Sequence, residues 1–162
     1  MKIYKIGIIG CGGIAQKMAA TLEKMKGVER YAVASRNQEK AEAFANKWGF
    51  TKAYGSYEEL ANDPEVDLIY IATPHAMHYD NAHMCIEKGK PVLCEKAFTA
   101  NARQAEDLLA FAKEKGVFIT EAIWTRYMPL SLKIQELLKE GVIGTPYTLS
   151  ANLSYPISNK ER

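Results

Sequence analysis

Four of the seven residues from Gly7 to Gly13 are glycine, within a stretch reading GIIGCGGIAQ that directly follows a short apolar run near the start of the chain. Ile14, Met18, Leu22 and Met25 then recur at helical spacing, so the segment reads as strand, turn and helix. That is the context in which Gly10-x-Gly12-x-x-Ala15 works as a dinucleotide fingerprint. The first glycine permits the tight turn, the second lets the backbone approach a pyrophosphate, and the small Ala15 lets the helix pack against its strand. Gly13 leads into a helix read over residues 14–26 from Ile14, whose free N–H groups and positive dipole end suit phosphate. A P-loop is disfavoured, because Gly12-Gly13 stand where that motif needs Gly-Lys-Ser/Thr.

Behind the glycines, two periods alternate. Strand-like runs at 3–9, 28–35, 52–54, 67–72, 91–94 and 117–120 are separated by segments with helical spacing: Ala41, Phe44, Ala45 and Trp48; Tyr79, Ala82 and Ile86; Ala105, Leu108, Leu109 and Ala112. A short helical turn before Asp63-Pro64 completes the series. Strands alternating with helices imply parallel βαβ units covered on both faces. The fold expected is α/β, a doubly wound parallel sheet of Rossmann type spanning residues 1–125.

After residue 125 the rhythm changes. Leu130, Ile134, Leu137 and Leu138 mark an amphipathic helix, and residues 147–155 alternate apolar and polar as a strand with one dry face. A lone strand offers an unpaired edge. Residues 126–162 are therefore expected to open a second, α+β domain whose remainder is missing. The apolar face after residue 145 leaves two associations open, with that missing domain or with a second copy as a homo-oligomer.

The chain has 162 residues, 48% hydrophobic and 25% charged, with a net charge of +2. Its basic residues are spread along the sequence, which argues against a nucleic-acid footprint or a membrane-surface patch. No apolar run approaches the roughly 18 residues of a membrane span. Cys11, Cys85 and Cys94 are odd in number and form no CxxC pair, and the N-terminus lacks the apolar core of a signal peptide. A cytoplasmic protein acting on a small molecule is the expectation.

The second strand bears on which dinucleotide. An NAD site places a carboxylate about 20 residues past the glycines, whereas a 2′-phosphate wants a cation and small donors. Here Ser35-Arg36-Asn37 is followed by Lys40, with no carboxylate at that place. NADP is favoured over NAD, and an S-adenosylmethionine methyltransferase is disfavoured by the same absence. The blander alternative is that Arg36 is a solvated residue at a strand end.

Ligands of open α/β sheets sit at the carboxyl ends of the strands. The fourth strand runs into Thr73-Pro74-His75-Ala76-Met77-His78, where Pro74 stiffens the turn and His78 is a candidate to reach the phosphate or nicotinamide side. With Asp80 nearby, His75, His78 and His83 resemble a metal cluster, but they do not have the His-Glu-x-x-His spacing of a zinc protease helix, and no metal is expected. The fifth strand ends in Glu95-Lys96-Ala97. Lys96 can hold a substrate oxygen beside a nicotinamide, or belong to a surface ion pair of little consequence. The sixth ends in Glu121 and leads to Trp124 and Arg126, which can frame the nicotinamide or pack a domain junction.

Taken in order and spacing, the glycine fingerprint, the TPHAMH turn, the Glu95-Lys96 pair and the EAIWTR stretch resemble the N-terminal domain of the Gfo/Idh/MocA oxidoreductases. EAIWTRYMP is closest to the NADP-dependent dihydrodiol and D-xylose dehydrogenase branch. The resemblance covers residues 3–155 and implies hydride transfer between a nicotinamide and a sugar, polyol or diol, with Lys96 as the catalytic residue beside the substrate oxygen. It also implies a second domain of comparable or greater size that supplies a further acid/base residue. Family members usually carry Pro where this chain has Ala97, a change expected to loosen the turn after Lys96. The 162 residues are expected to bind NADP without turning over substrate. A non-catalytic dinucleotide sensor is the alternative.

Overall fold

The computed structural model describes residues 2–154. The chain divides into two compact units, Met1–Ile123 and Trp124–Arg162.

The first unit contains six strands, β1 (Tyr4–Ile9), β2 (Val28–Ala34), β3 (Lys52–Tyr54), β4 (Leu68–Ile71), β5 (Val92–Cys94) and β6 (Ile119–Glu121). Between them run α1 (Gly13–Leu22), α2 (Gln38–Trp48), α3 (Tyr57–Asn62), α4 (His78–Glu87) and α5 (Ala102–Lys115). All pairings are parallel, in the order β3-β2-β1-β4-β5-β6. This is the doubly wound arrangement that the alternating periods demand, with the strand order reversing between β1 and β4.

Side chains of successive strand residues point to opposite faces, so each strand feeds two cores. Ile9, Ala34, Ile69 and Ile71 pack with Leu60, Ala82, Ile86 and Leu108 on one face. Ile6, Ile8, Val33 and Tyr70 pack with Ala15, Ala19, Leu22 and Phe44 on the other. Ala15 is fully buried, as tight helix-on-strand packing requires.

Helix boundaries follow local chemistry. Asn37 caps α2 by accepting from the Lys40 amide, and Ser56 and Glu59 form a reciprocal capping box on α3. Gly49 and Gly116, in the left-handed region, end α2 and α5. The first helix stops at Leu22, short of the periodic Met25, which is 49% exposed.

The second unit holds a 3-10 turn (Trp124–Tyr127) and α6 (Pro129–Lys139). The expected helix is present, with Leu130, Leu132 and Ile134 exposed. The expected strand over 147–155 is not formed within residues 147–154, which are exposed and unpaired in any ladder; residue 155 lies outside the described residues. Alternation specifies which face would be dry but supplies no neighbouring strand, and pairing needs one.

Candidate functional site

Register places the strand ends in one line. Ile9 pairs with Ala34 and with Ile71, Ile71 with Cys94, and Cys94 with Glu121. The residues that follow each strand therefore emerge along one edge of the sheet: Gly10, Ser35, Thr73, Glu95 with Lys96, and Ala122. The last strand bonds are carried past the strands themselves, with Gly10 N donating to Ala34 O, Ala72 N to Ile9 O and Glu95 N to Ile71 O.

At the switch between β1 and β4, Gly10 has φ +102°. Gly12 and Gly13, by contrast, have nothing within 4 Å of an added Cβ. The start of α1 carries no side-chain cap and no acidic residue in its first turn. Bare amides thus face open space at a positive helix end, and these residues fit a pyrophosphate group. Beyond β2, Arg36 and Lys40 are exposed, and among the described residues neither has an ion-pair partner. The Ser35 hydroxyl accepts from the Asn37 amide. The Cys11 thiol sits close by, its pKa raised by partial burial against the opposing pull of Ser35 and Lys40.

Next to the glycine turn lies a cleft of about 140 Å³ lined by Ile14, Thr73, His75, Glu95 and Lys96. Lys96 is exposed, and the backbone around it is held on several sides. Glu95 accepts the Tyr70 hydroxyl at one carboxylate oxygen and the Lys96 amide at the other. Burial, then the Glu95 carboxylate, pushes the Tyr70 phenol well above its ordinary pKa, so it stays a donor. Glu121 accepts the Phe98 amide at 2.9 Å. The turn after Lys96, with Ala97 in place of proline, is thus held from Phe98 by the Glu121 carboxylate. The Lys96–Ala97 peptide is cis.

His78 departs from expectation. It is fully buried, its Nδ1 lies 2.8 Å from the Ala97 carbonyl oxygen, and its Nε2 lies 2.9 Å from that of Thr73. Fully buried, with each ring nitrogen facing a backbone carbonyl oxygen, it does not present its ring to a phosphate or a nicotinamide. Pro74 is exposed on the turn, and Thr73 is buried with its hydroxyl accepting from Asn81. His75 makes an edge contact with His78, and His83 stacks on Phe111 at 4.1 Å. Among the described residues no three His, Cys, Asp or Glu side chains group as metal ligands. Trp124 and Arg126 lie on the exposed 3-10 turn of the second unit. Tyr70, Asn81 and Glu121 were not among the residues singled out from sequence. Only Glu121, at a strand end, carried a signal that could have found it.

The family described as "Oxidoreductase family, NAD-binding Rossmann fold" matches residues 4–122. The chain belongs to the Gfo/Idh/MocA oxidoreductase family. Among relatives, it is 44% identical over 169 residues to a D-xylose 1-dehydrogenase (NADP(+)) of Hypocrea jecorina, covering 97% of this chain and 43% of that protein. It is 40% identical to a trans-1,2-dihydrobenzene-1,2-diol dehydrogenase of Mus musculus, covering 96% of this chain and 47% of that one. Among solved structures, an NAD binding oxidoreductase from Klebsiella pneumoniae superposes with a TM-score of 0.83 at 35% identity, over 88% of this chain and 40% of that one. KijD10, a 3-ketoreductase from Actinomadura kijaniata in complex with TDP-benzene and NADP, superposes with a TM-score of 0.79 at 32% identity, over 88% of this chain and 45% of that one. The chain spans under half the length of these relatives. Among its described residues no helix is long and apolar enough to cross a membrane.

Proposed function

We propose that this chain is the cofactor-binding part of an NADP-dependent Gfo/Idh/MocA oxidoreductase that moves hydride between a nicotinamide and a sugar, polyol or diol. The observation that carries the reading is the open, side-chain-free turn at Gly12–Gly13 together with Arg36 and Lys40, two exposed cations that have no ion-pair partner among the described residues. The bound nicotinamide supplies the hydride donor or acceptor. Gly12, Gly13, Ile14 and Ala15 hold the pyrophosphate at the helix end; Ser35, Arg36 and Lys40 hold the 2′-phosphate. Thr73 and Glu95 line the cleft on the nicotinamide side, and Pro74 fixes the turn that follows Thr73. Lys96 donates to the substrate oxygen and takes or returns the proton that accompanies hydride transfer there. The substrates named for the relatives support a sugar or diol.

In this reading residues 1–125 form the dinucleotide domain, and residues 126–162, which include Arg126, belong to a second domain. The 162 residues alone then bind NADPH and oxidise neither xylose nor a diol. The experiment is a fluorescence titration with NADPH and with NADH, in the wild type and in Arg36→Ala. Loss of a charge-assisted phosphate contact is expected to weaken NADPH about tenfold and leave NADH unchanged. Equal losses for both cofactors would contradict the assignment of Arg36.

A further inference from the structure

Three consecutive residues, 96 to 98, are each held by a side chain, and two of those side chains, His78 and Glu121, do not line the cleft. The Lys96 amide donates to Glu95, the Ala97 carbonyl faces His78 Nδ1, and the Phe98 amide donates to Glu121. His78 comes from the start of α4, nineteen residues before Ala97, and Glu121 ends β6. One of these anchors does more than fix the turn. His78 Nε2 faces the Thr73 carbonyl, so a single fully buried ring spans the exits of β4 and β5. Those two exits supply Thr73 and Lys96, which line the same cleft.

We infer that His78 is a positioning residue: it ties the Thr73 wall of the cleft to the Lys96 turn and thereby sets where the Lys96 ammonium stands against a bound dinucleotide. A ring N–H donates to the carbonyl it faces, and a ring with both hydrogens donates to the two at once. A buried carbonyl stripped of its donor must find another, so the turn would move to recover one. Asn81 braces the same wall by donating to the Thr73 hydroxyl, which leaves the Ala97 side resting on His78. Glu121 fixes the following amide, so the two anchors hold neighbouring peptide groups of the same turn.

The inference rests on the dinucleotide reading above, and the test separates their failures. Lys96 is acylated with an amine-reactive reagent, with and without NADPH, and its labelling is followed by peptide mass spectrometry with Lys88 as internal reference. NADPH affinity is measured in parallel by fluorescence. In the wild type, NADPH is expected to slow Lys96 labelling. His78→Asn keeps an amide donor where Nδ1 stood and retains that protection. His78→Gln keeps a donor where Nε2 stood, and with His78→Leu it is expected to lose about fivefold of the protection, the value of one hydrogen bond, while NADPH affinity at the glycine turn is kept. A purely structural role would lower thermal stability in all three without separating Asn from Gln.

Equal protection in all folded His78 variants overturns the inference. Absence of NADPH binding to the wild type overturns the dinucleotide reading instead. Should the His78 variants prove too unstable at the assay temperature, the comparison of His78→Asn with His78→Gln is made in the cold, where selective loss in Gln supports the inference and equal protection overturns it.

Discussion

Gly10 lies against the backbone of Ala72: a Cβ added at residue 10 would sit 2.8 Å from the Ala72 carbonyl oxygen. With φ at +102°, the position is closed to side chains twice over, by conformation and by contact. The glycine is there because β1 and β4 are neighbours whose ends turn away from each other at the switch point. Gly10→Ala is expected to destabilise the fold by about 2 kcal/mol or more, read by urea unfolding.

Gly12 makes the opposite prediction. Its φ is −77°, and nothing lies within 4 Å of an added Cβ. Gly12→Ala should therefore leave stability within about 0.5 kcal/mol of the wild type. The methyl instead occupies the space where a pyrophosphate must approach the amides, so NADPH affinity is expected to fall. Loss of stability without loss of affinity would place the constraint in the protein and not in its ligand.

Asp63 sets an acid limit on stability. Burial alone pushes its carboxyl up, but the Tyr54 hydroxyl at 2.6 Å, Lys52 Nζ at 2.9 Å and the Glu65 amide at 2.9 Å outweigh that and hold it at about 2. Its ordinary value is near 4, so the folded state binds the proton more weakly than the unfolded one. The contribution, roughly 2 kcal/mol, is fully present above about pH 4 and lost as pH falls toward 2. Urea unfolding at pH 5, 4 and 3 should show this decline in the wild type and a shallower one in Asp63→Asn. Parallel declines would assign the acid sensitivity to other carboxylates.

Tyr70 links a core to the site. The residue is 2% exposed, and its hydroxyl donates to Glu95, whose other oxygen receives the Lys96 amide. Tyr70→Phe keeps the packing and removes one donor to a carboxylate. Stability is expected to drop by about 1–2 kcal/mol, with NADPH affinity changed less than by Gly12→Ala. Thermal unfolding and fluorescence titration of the same variants check this.

Much of the framework was legible because it depends on local pattern. The alternation of strand and helix periods located all six strands within two residues, and Gly10-x-Gly12-x-x-Ala15 marked the turn at which they converge. Residues whose role depends on distant partners were not legible in the same way. His78 reads as a ligand candidate beside Thr73-Pro74, yet its ring is claimed by Ala97, a partner brought near only when α4 packs beside β5. Tyr70 sits inside an apolar run and shows no sign that its hydroxyl meets Glu95. The alternation at 147–155 shows the reverse: a clear local pattern forms no ladder within residues 147–154, because a strand needs a neighbour that alternation does not provide.

A crystal grown with NADP tests the proposal at its source. Pyrophosphate oxygens are expected about 3 Å from the amides of Gly12, Gly13 and Ile14, with the 2′-phosphate beside Arg36 and Lys40. A dinucleotide bound elsewhere, or a turn at Gly12–Gly13 closed by a neighbouring side chain, would contradict it.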